Sequence, residues 1–191
     1  FMAEAYDDHM KTTYDNPIPL LLESGFDYVY NAPAYHLAHQ IYEEGKWAND
    51  FDALLDNDSP YFGRSVQYLE NHDEPRMGSP LHRGGSGRKI APAMSTLFYS
   101  LYPGAILFYN GQEVGEKADG PGGFGGDNGR SSIFDYTHLP TFSRWTNKGQ
   151  FDGALLTEEE TALRTHYAWL CPMLQNPALV KGKYYGLNWF N

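Results

Sequence analysis

Residues 69–76 read Leu-Glu-Asn-His-Asp-Glu-Pro-Arg and follow directly on an apolar stretch that contains Val66. Asn, His and Asp side chains can hydrogen-bond hydroxyl groups, and a carboxylate such as Asp73 can face a developing positive charge. A second carboxylate, Glu4, lies near the end of the opening apolar segment Phe-Met-Ala-Glu-Ala-Tyr. Two carboxylates at the ends of parallel strands are the groups that glycoside hydrolysis requires.

Each of these residues also has a structural interpretation. From its spacing alone, Glu4 is equally consistent with an exposed glutamate at a strand end. His72 and Asp73 also fit a capped turn, because Asn and Asp favour such positions. Asn71 could support this loop and not touch a ligand.

Two further residues have open assignments. Arg76 could bind a sugar or pair with Glu74. Tyr6 could stack on a sugar ring, which aromatic side chains do well, or be an ordinary core or rim aromatic.

The elements that must position these groups follow from apolar patterning. Four short segments rich in apolar, aromatic or β-branched residues are predicted as strands. They are residues 1–6, 26–30, 65–69 and the fully apolar 105–109, which should be buried. Helical spacing and end signals predict helices between them and after the last one. These are residues 33–45, 49–55, 88–101 and 157–174. Residues 15–19 are predicted as a loop and residues 184–189 as the start of another strand.

This alternation of strands and helices predicts an α/β fold with parallel strands and right-handed crossovers. Four strand–helix units are about half of an eight-stranded barrel, which typically needs ~250 residues. The chain has 191 residues and opens directly in a predicted strand. We therefore expect it to be part of a longer protein.

Composition excludes some functions. The formal net charge of −10 speaks against nucleic acid as a partner, since phosphate binding needs clustered Lys and Arg. No apolar run reaches the roughly 18 residues of a membrane helix, so no membrane partner is expected. Cys171 is the single cysteine and is predicted to be buried and inert. The compartment is left open.

Metal-binding patterns are weak. His36 and His39 have the helical i, i+3 spacing that could hold a metal, but no third ligand is evident and two surface histidines are favoured. A group of aspartates suggests calcium but lacks the EF-hand pattern and its closing Glu, so a solvated acidic face is favoured. These are Asp50, Asp52, Asp56 and Asp58.

Taken in order, the motifs resemble the alpha-amylase family of glycoside hydrolases, family 13. Residues 1–6 resemble the fifth-strand motif of its catalytic barrel, and Leu-Glu-Asn-His-Asp at 69–73 resembles the seventh-strand motif. Pro-Gly-Ala-Ile-Leu-Phe-Tyr-Asn-Gly-Gln-Glu at 103–113 resembles the eighth-strand motif. Residues 170–186 resemble the last helix and the entry to a β-sandwich domain. The resemblance therefore implies a TIM-type (β/α)8 barrel of which residues 1–180 are the carboxy-terminal half, strands five to eight with their helices. Residues 181–191 would begin the β-sandwich.

The resemblance also implies roles for individual residues. Glu4 would be the general acid/base and Asp73 the stabiliser of the transition state. His72 would hydrogen-bond a hydroxyl of the same sugar, and Tyr6, Arg76 and Asn71 complete the candidate substrate-binding set. Glu113, in the eighth-strand motif, is assigned a structural role.

The family's nucleophile is an Asp at the end of the fourth strand, and no such region precedes Glu4. The expected function is therefore part of a retaining α-glycoside hydrolase acting on α-glucans such as starch and maltooligosaccharides, with the 191 residues inactive alone. A transglycosylase or isomerase of the same family, and a non-catalytic glycan-binding or assembly fragment, are the alternatives. No cofactor is expected in this chain, and calcium could belong to the other half. Unpaired edge strands would favour self-association.

Overall fold

The computed structural model describes residues 1–4, 18–55, 62–81, 87–118, 128–131 and 138–187. The chain divides into two compact units. The first unit comprises Phe1–Tyr68, Leu97–Leu107 and Leu174–Asn191, and the second comprises Leu69–Thr96 and Phe108–Met173.

The first unit contains a four-stranded sheet in which every pairing is parallel. Its strands, in spatial as in chain order, are β1 (Met2–Ala3), β2 (Tyr28–Tyr30), β3 (Ser65–Gln67) and β4 (Ala105–Ile106). The predicted α/β class and the four parallel strands are therefore confirmed. Each strand is shorter than predicted, with two or three residues in the ladder.

Helix α2 (Ala32–Glu44) has end signals that the sequence predicts well. The Asn31 side chain accepts a hydrogen bond from the Ala34 backbone N–H, and Pro33 occupies the first turn, where its missing N–H costs nothing. Gly45 ends the helix in the left-handed region at φ 70°. The second predicted helix of this region is a 3₁₀ helix, Ala48–Leu54.

Helix α1 (Ile18–Glu23) was not predicted, because Pro17 and Pro19 in the same stretch indicate a loop. Its apolar side chains Ile18 and Leu22 pack with Ala3 of β1 and Val29 of β2. Burial of these residues against the sheet outweighs the local signal from two prolines.

The residues around β3 form the second cluster of the first unit. Tyr30, Tyr35, Val66 and Tyr68 are buried together, with the rings of Tyr35 and Tyr68 stacked at 4.9 Å between centroids. Gln67 is buried beside them and its side-chain oxygen accepts a hydrogen bond from Asn31 at 3.0 Å. The end of β3 is thus held firmly, which matters because residues 69–76 follow it.

Three predictions about burial and extent were wrong. Ala105 is exposed and Ile106 only partly buried, because β4 is an edge strand of this sheet. Of residues 184–189, where the start of a strand was predicted, 184–187 have no regular structure, and 188 and 189 lie outside the described residues. Cys171 is exposed, since the inward face of its helix presents Leu163, Tyr167 and Leu170, and the residue after Leu170 is rotated away from that face.

The second unit contains helices α4 (Pro140–Thr146) and α5 (Glu158–Met173). Helix α3 (Ala91–Ser100) follows a 3₁₀ turn at Gly87–Lys89 and begins in this unit, and α6 (Pro177–Lys181) belongs to the first. Neither α4 nor α6 was predicted. Among the described residues no helix has the length and apolarity needed to cross a bilayer.

Candidate active site

Residues 69–77, which follow β3, form a loop held by its own polar side chains. Asn71 is buried, and its side-chain oxygen accepts hydrogen bonds from the backbone N–H groups of Asp73 and Glu74, both at 2.9 Å. This Asx-type turn is the local reason for the loop's shape. The loop-supporting interpretation of Asn71 agrees with these bonds.

His72 and Asp73 project from this turn and are accessible. Their side chains are 34% and 42% exposed, while Glu70 and Arg76 in the same loop have no exposed side-chain surface. His72 Nε2 lies 3.3 Å from the Asp73 Oδ2 atom. An imidazole and a carboxylate side by side can bind adjacent hydroxyl groups, and the carboxylate can stabilise a positive charge.

Arg76 is not available to a ligand, which corrects its assignment to the substrate-binding set. Its guanidinium pairs with Glu70 at 3.0 Å, whereas the sequence had left open a sugar or Glu74 as its partner, and it donates to Ser131 Oγ at 2.7 Å and the Asn110 carbonyl oxygen at 2.7 Å. The guanidinium also lies over the Tyr109 ring, 4.0 Å from its centroid. Arg76 therefore belongs to the support of the loop.

Glu70 and Tyr109 were missed by the sequence analysis. A signal existed for Glu70, because a charged residue that directly follows Leu69, the last residue of a predicted apolar strand, is close to the core and needs an opposite charge if it is buried. Tyr109 was assigned to the fourth strand, whereas it lies beyond β4 in a turn.

The turn after β4 is stabilised by its own polar residues. Gly111 has φ 91°, and its backbone N–H donates to the Glu113 side chain at 3.1 Å. Gln112 is buried and donates to the Tyr167 hydroxyl at 3.0 Å. Burial raises the pKa of Tyr167, so that hydroxyl stays protonated. These contacts agree with the structural role assigned to Glu113.

Glu4 lies in the first unit, directly after β1, and is exposed. Asn71, His72, Asp73 and Arg76 are brought together in one loop of the second unit. Tyr6 lies outside the described residues.

The histidines and aspartates that the sequence pattern suggested as metal ligands have other neighbours where the structure describes them. His36 is exposed on α2 and His39 partly so, and both rings pack near Tyr35. Asp50 lies 3.7 Å from the Lys46 ammonium, and Asp52 accepts a hydrogen bond from the Tyr184 hydroxyl. Asp56 and Asp58 lie outside the described residues.

Residues 23–150 match the family model described as alpha amylase, catalytic domain. The match covers more than half of the chain, so the chain belongs to the alpha-amylase family of glycoside hydrolases. The catalytic domain of this family implies a TIM barrel. No curated protein and no solved structure gave a significant match.

Proposed function

We propose that this chain is the carboxy-terminal half of the catalytic barrel of a retaining hydrolase that cleaves α-glucosidic bonds in starch and maltooligosaccharides. Residues 1–180 would supply strands five to eight, and residues 181–191 would begin a β-sandwich domain. One observation carries the proposal. In a loop where Glu70, Asn71 and Arg76 are buried and hydrogen-bonded, His72 and Asp73 remain partly exposed and lie side by side, with His72 Nε2 3.3 Å from Asp73 Oδ2.

Asp73 would act by charge. A glycoside passes through an oxocarbenium-like transition state, and a carboxylate beside the sugar ring stabilises that positive charge more than it stabilises the neutral substrate. The Asx turn at Asn71 fixes the backbone of Asp73 before substrate arrives, so little reorganisation is needed during the reaction. His72 would donate a hydrogen bond to a hydroxyl of the same sugar.

Glu4 would be the general acid/base. It would protonate the glycosidic oxygen as the bond breaks and later deprotonate the attacking water. Its place directly after β1 suits this role, because active sites of TIM barrels lie at the carboxyl ends of their strands. Tyr6, two residues further on, would stack on a sugar.

The nucleophile would come from the first half of the barrel. A retaining mechanism requires a second carboxylate about 5 Å from the acid, and the motif order of this chain assigns none of its residues to that position. The 191 residues alone should therefore be inactive. This carboxylate chemistry uses no cofactor, and a structural calcium, if one is required, would be held by the first half.

The test compares the full-length gene product with this chain on soluble starch and maltooligosaccharides. We expect activity in the longer protein alone, lowered about 10²–10⁴-fold by Glu4→Gln and about 10²–10³-fold by Asp73→Asn. Glu74→Gln is the matched control, because it removes a neighbouring carboxylate of the same loop and should leave kcat within about twofold. Full activity in Asp73→Asn, or activity of the 191 residues that Glu4→Gln abolishes, would contradict the proposal.

Four further measurements refine the proposal. The anomeric configuration of the first product tests retention, and the ratio of transfer products to reducing ends separates a hydrolase from a transglycosylase. Chelation by EDTA tests a calcium requirement. Light scattering of the 191-residue chain tests self-association through the edges of β1 and β4, where unpaired backbone groups could pair with another copy. A monomer at all concentrations would count against that association.

A further inference from the structure

The guanidinium of Arg76 is the centre of a buried network in the second unit. It contacts groups from three chain segments: Glu70 before it, the Tyr109–Asn110 turn, and Ser131. Its backbone N–H also donates to the Gly129 carbonyl oxygen at 2.7 Å. No part of the Arg76 side chain is exposed, so it cannot act by touching a sugar.

The presence of a buried ion pair between Arg76 and Glu70 is not explained by a gain in stability alone. Removing two charges from water costs several kcal/mol per ion, and well-packed apolar residues in the same place often give an equal or higher free energy of unfolding. The ion pair does fix the orientation of the groups around it. A guanidinium is a rigid planar donor, so it constrains the angle as well as the distance of its hydrogen-bond partners.

The Arg76–Glu70 pair closes the base of the His72–Asp73 loop. One Glu70 oxygen accepts from Arg76, and the other accepts from the backbone N–H of Met77. At the tip, the Asn71 side chain holds the backbone of Asp73. The backbone is therefore fixed by hydrogen bonds on both sides of His72 and Asp73.

We propose that Arg76 is a positioning residue that sets the placement of His72 and Asp73 through Glu70, and that it also fixes the ring of Tyr109. This inference rests on the proposed function for its readout in activity. Tyr109 is half-buried, and burial raises the pKa of its phenol. The Arg76 charge lowers that pKa, whereas the charges of Glu70 and Asp73 raise it, so all four groups share one electrostatic environment.

The test measures kcat, KM and the melting temperature of the full-length enzyme. Arg76→Lys keeps the charge but loses the fork, and we expect kcat to fall about 10²-fold, as a misplacement of about 1 Å can cause, while KM changes little. Arg88→Lys is the matched control. Arg88 is also buried and paired with a buried glutamate, Glu160, but its described contacts do not include the His72–Asp73 loop. It should lower the melting temperature and leave kcat unchanged.

A second variant covers the case in which Arg76→Lys fails to fold. Glu70→Gln combined with Arg76→Met removes the buried charges as a pair, which avoids leaving one uncompensated. This double variant should fold and still lose about 10²-fold in kcat. Wild-type kcat in either folded variant, in an enzyme that Asp73→Asn inactivates, would overturn the positioning role. Full activity in Asp73→Asn would instead overturn the proposed function.

Discussion

Replacement of Glu160 by glutamine should destabilise the second unit substantially. Glu160 is 1% exposed and stands at the third position of α5. Its side chain accepts hydrogen bonds from Arg88 at 3.0 Å, from Arg144, and from the backbone N–H of Thr157 at 3.0 Å. The Thr157 hydroxyl in turn accepts from the Glu160 backbone N–H at 3.3 Å, which completes a capping box.

The size of the loss in unfolding free energy depends on which arginine loses its carboxylate partner. Removing one partner of a buried ion pair costs roughly 3–5 kcal/mol. Arg88 is 6% exposed and would lose its buried carboxylate, whereas Arg144 is 38% exposed and can be hydrated instead. Arg88 also keeps the more exposed Glu159, at 3.4 Å. We therefore expect Glu160→Gln to lower the free energy of unfolding by about 3 kcal/mol, the lower end of that range.

The loss should depend on pH with a defined sign. Burial alone would raise the pKa of Glu160, but the hydrogen bonds from Arg144 and the Thr157 backbone, and the charges of Arg144 and Arg88, outweigh it and lower the pKa. A carboxylate with a lowered pKa in the folded state contributes stability above its unfolded pKa of about 4.3, and that contribution disappears as the pH falls through the folded value. The difference between wild type and Glu160→Gln should shrink accordingly.

Urea unfolding followed by tryptophan fluorescence at pH 7 and at successively lower pH measures both effects. Glu158→Gln is the matched control. It removes a carboxylate from the same helical turn, but Glu158 is exposed, so only its interaction with the helix dipole is lost, about 0.3–1 kcal/mol. Equal losses in the two variants, or a Glu160→Gln loss that stays constant in acid, would refute this account of the buried pair.

Other changes test separate parts of the fold. Gly104→Ala should lower the melting temperature, at a cost of about 1–3 kcal/mol, because a Cβ there would lie 2.2 Å from the Ser65 carbonyl oxygen between β3 and β4. Asn31→Ala removes the cap of α2 and the buried hydrogen bond to Gln67, and should cost about 2–4 kcal/mol in urea unfolding. The Cys171 thiol should react with Ellman's reagent in the native protein, and protection until denaturation would contradict its exposure.

Much of the fold was predictable because local signals agreed with tertiary packing. Helix α2 carries its own cap, its first-turn proline and its terminal glycine, so its bounds could be predicted to within about a residue. Helix α1 could not be predicted. Pro17 just before it and Pro19 within it indicate a loop, and only the burial of Ile18 and Leu22 against β1 and β2 explains why it forms.

Strand burial was less predictable than strand position. An apolar run such as residues 105–109 indicates a central strand, but its place in the sheet depends on which neighbours pair with it. Here β4 pairs with β3 alone in the described sheet, so Ala105 remains exposed and Phe108 is 40% exposed. A single sequence carries no local signal for that difference.

The candidate site shows the same limit at the level of single side chains. The motif at residues 70–76 contains several polar residues that differ little in type but greatly in burial. Polar groups without exposed surface need partners inside the protein: Arg76 pairs with Glu70, Glu70 accepts from the Met77 backbone N–H, and the Asn71 oxygen accepts from the Asp73 backbone N–H. The cost of burying polar groups without partners therefore explains why Glu70 and Arg76 are paired inside the loop, while His72, Asp73 and Glu74 remain partly exposed.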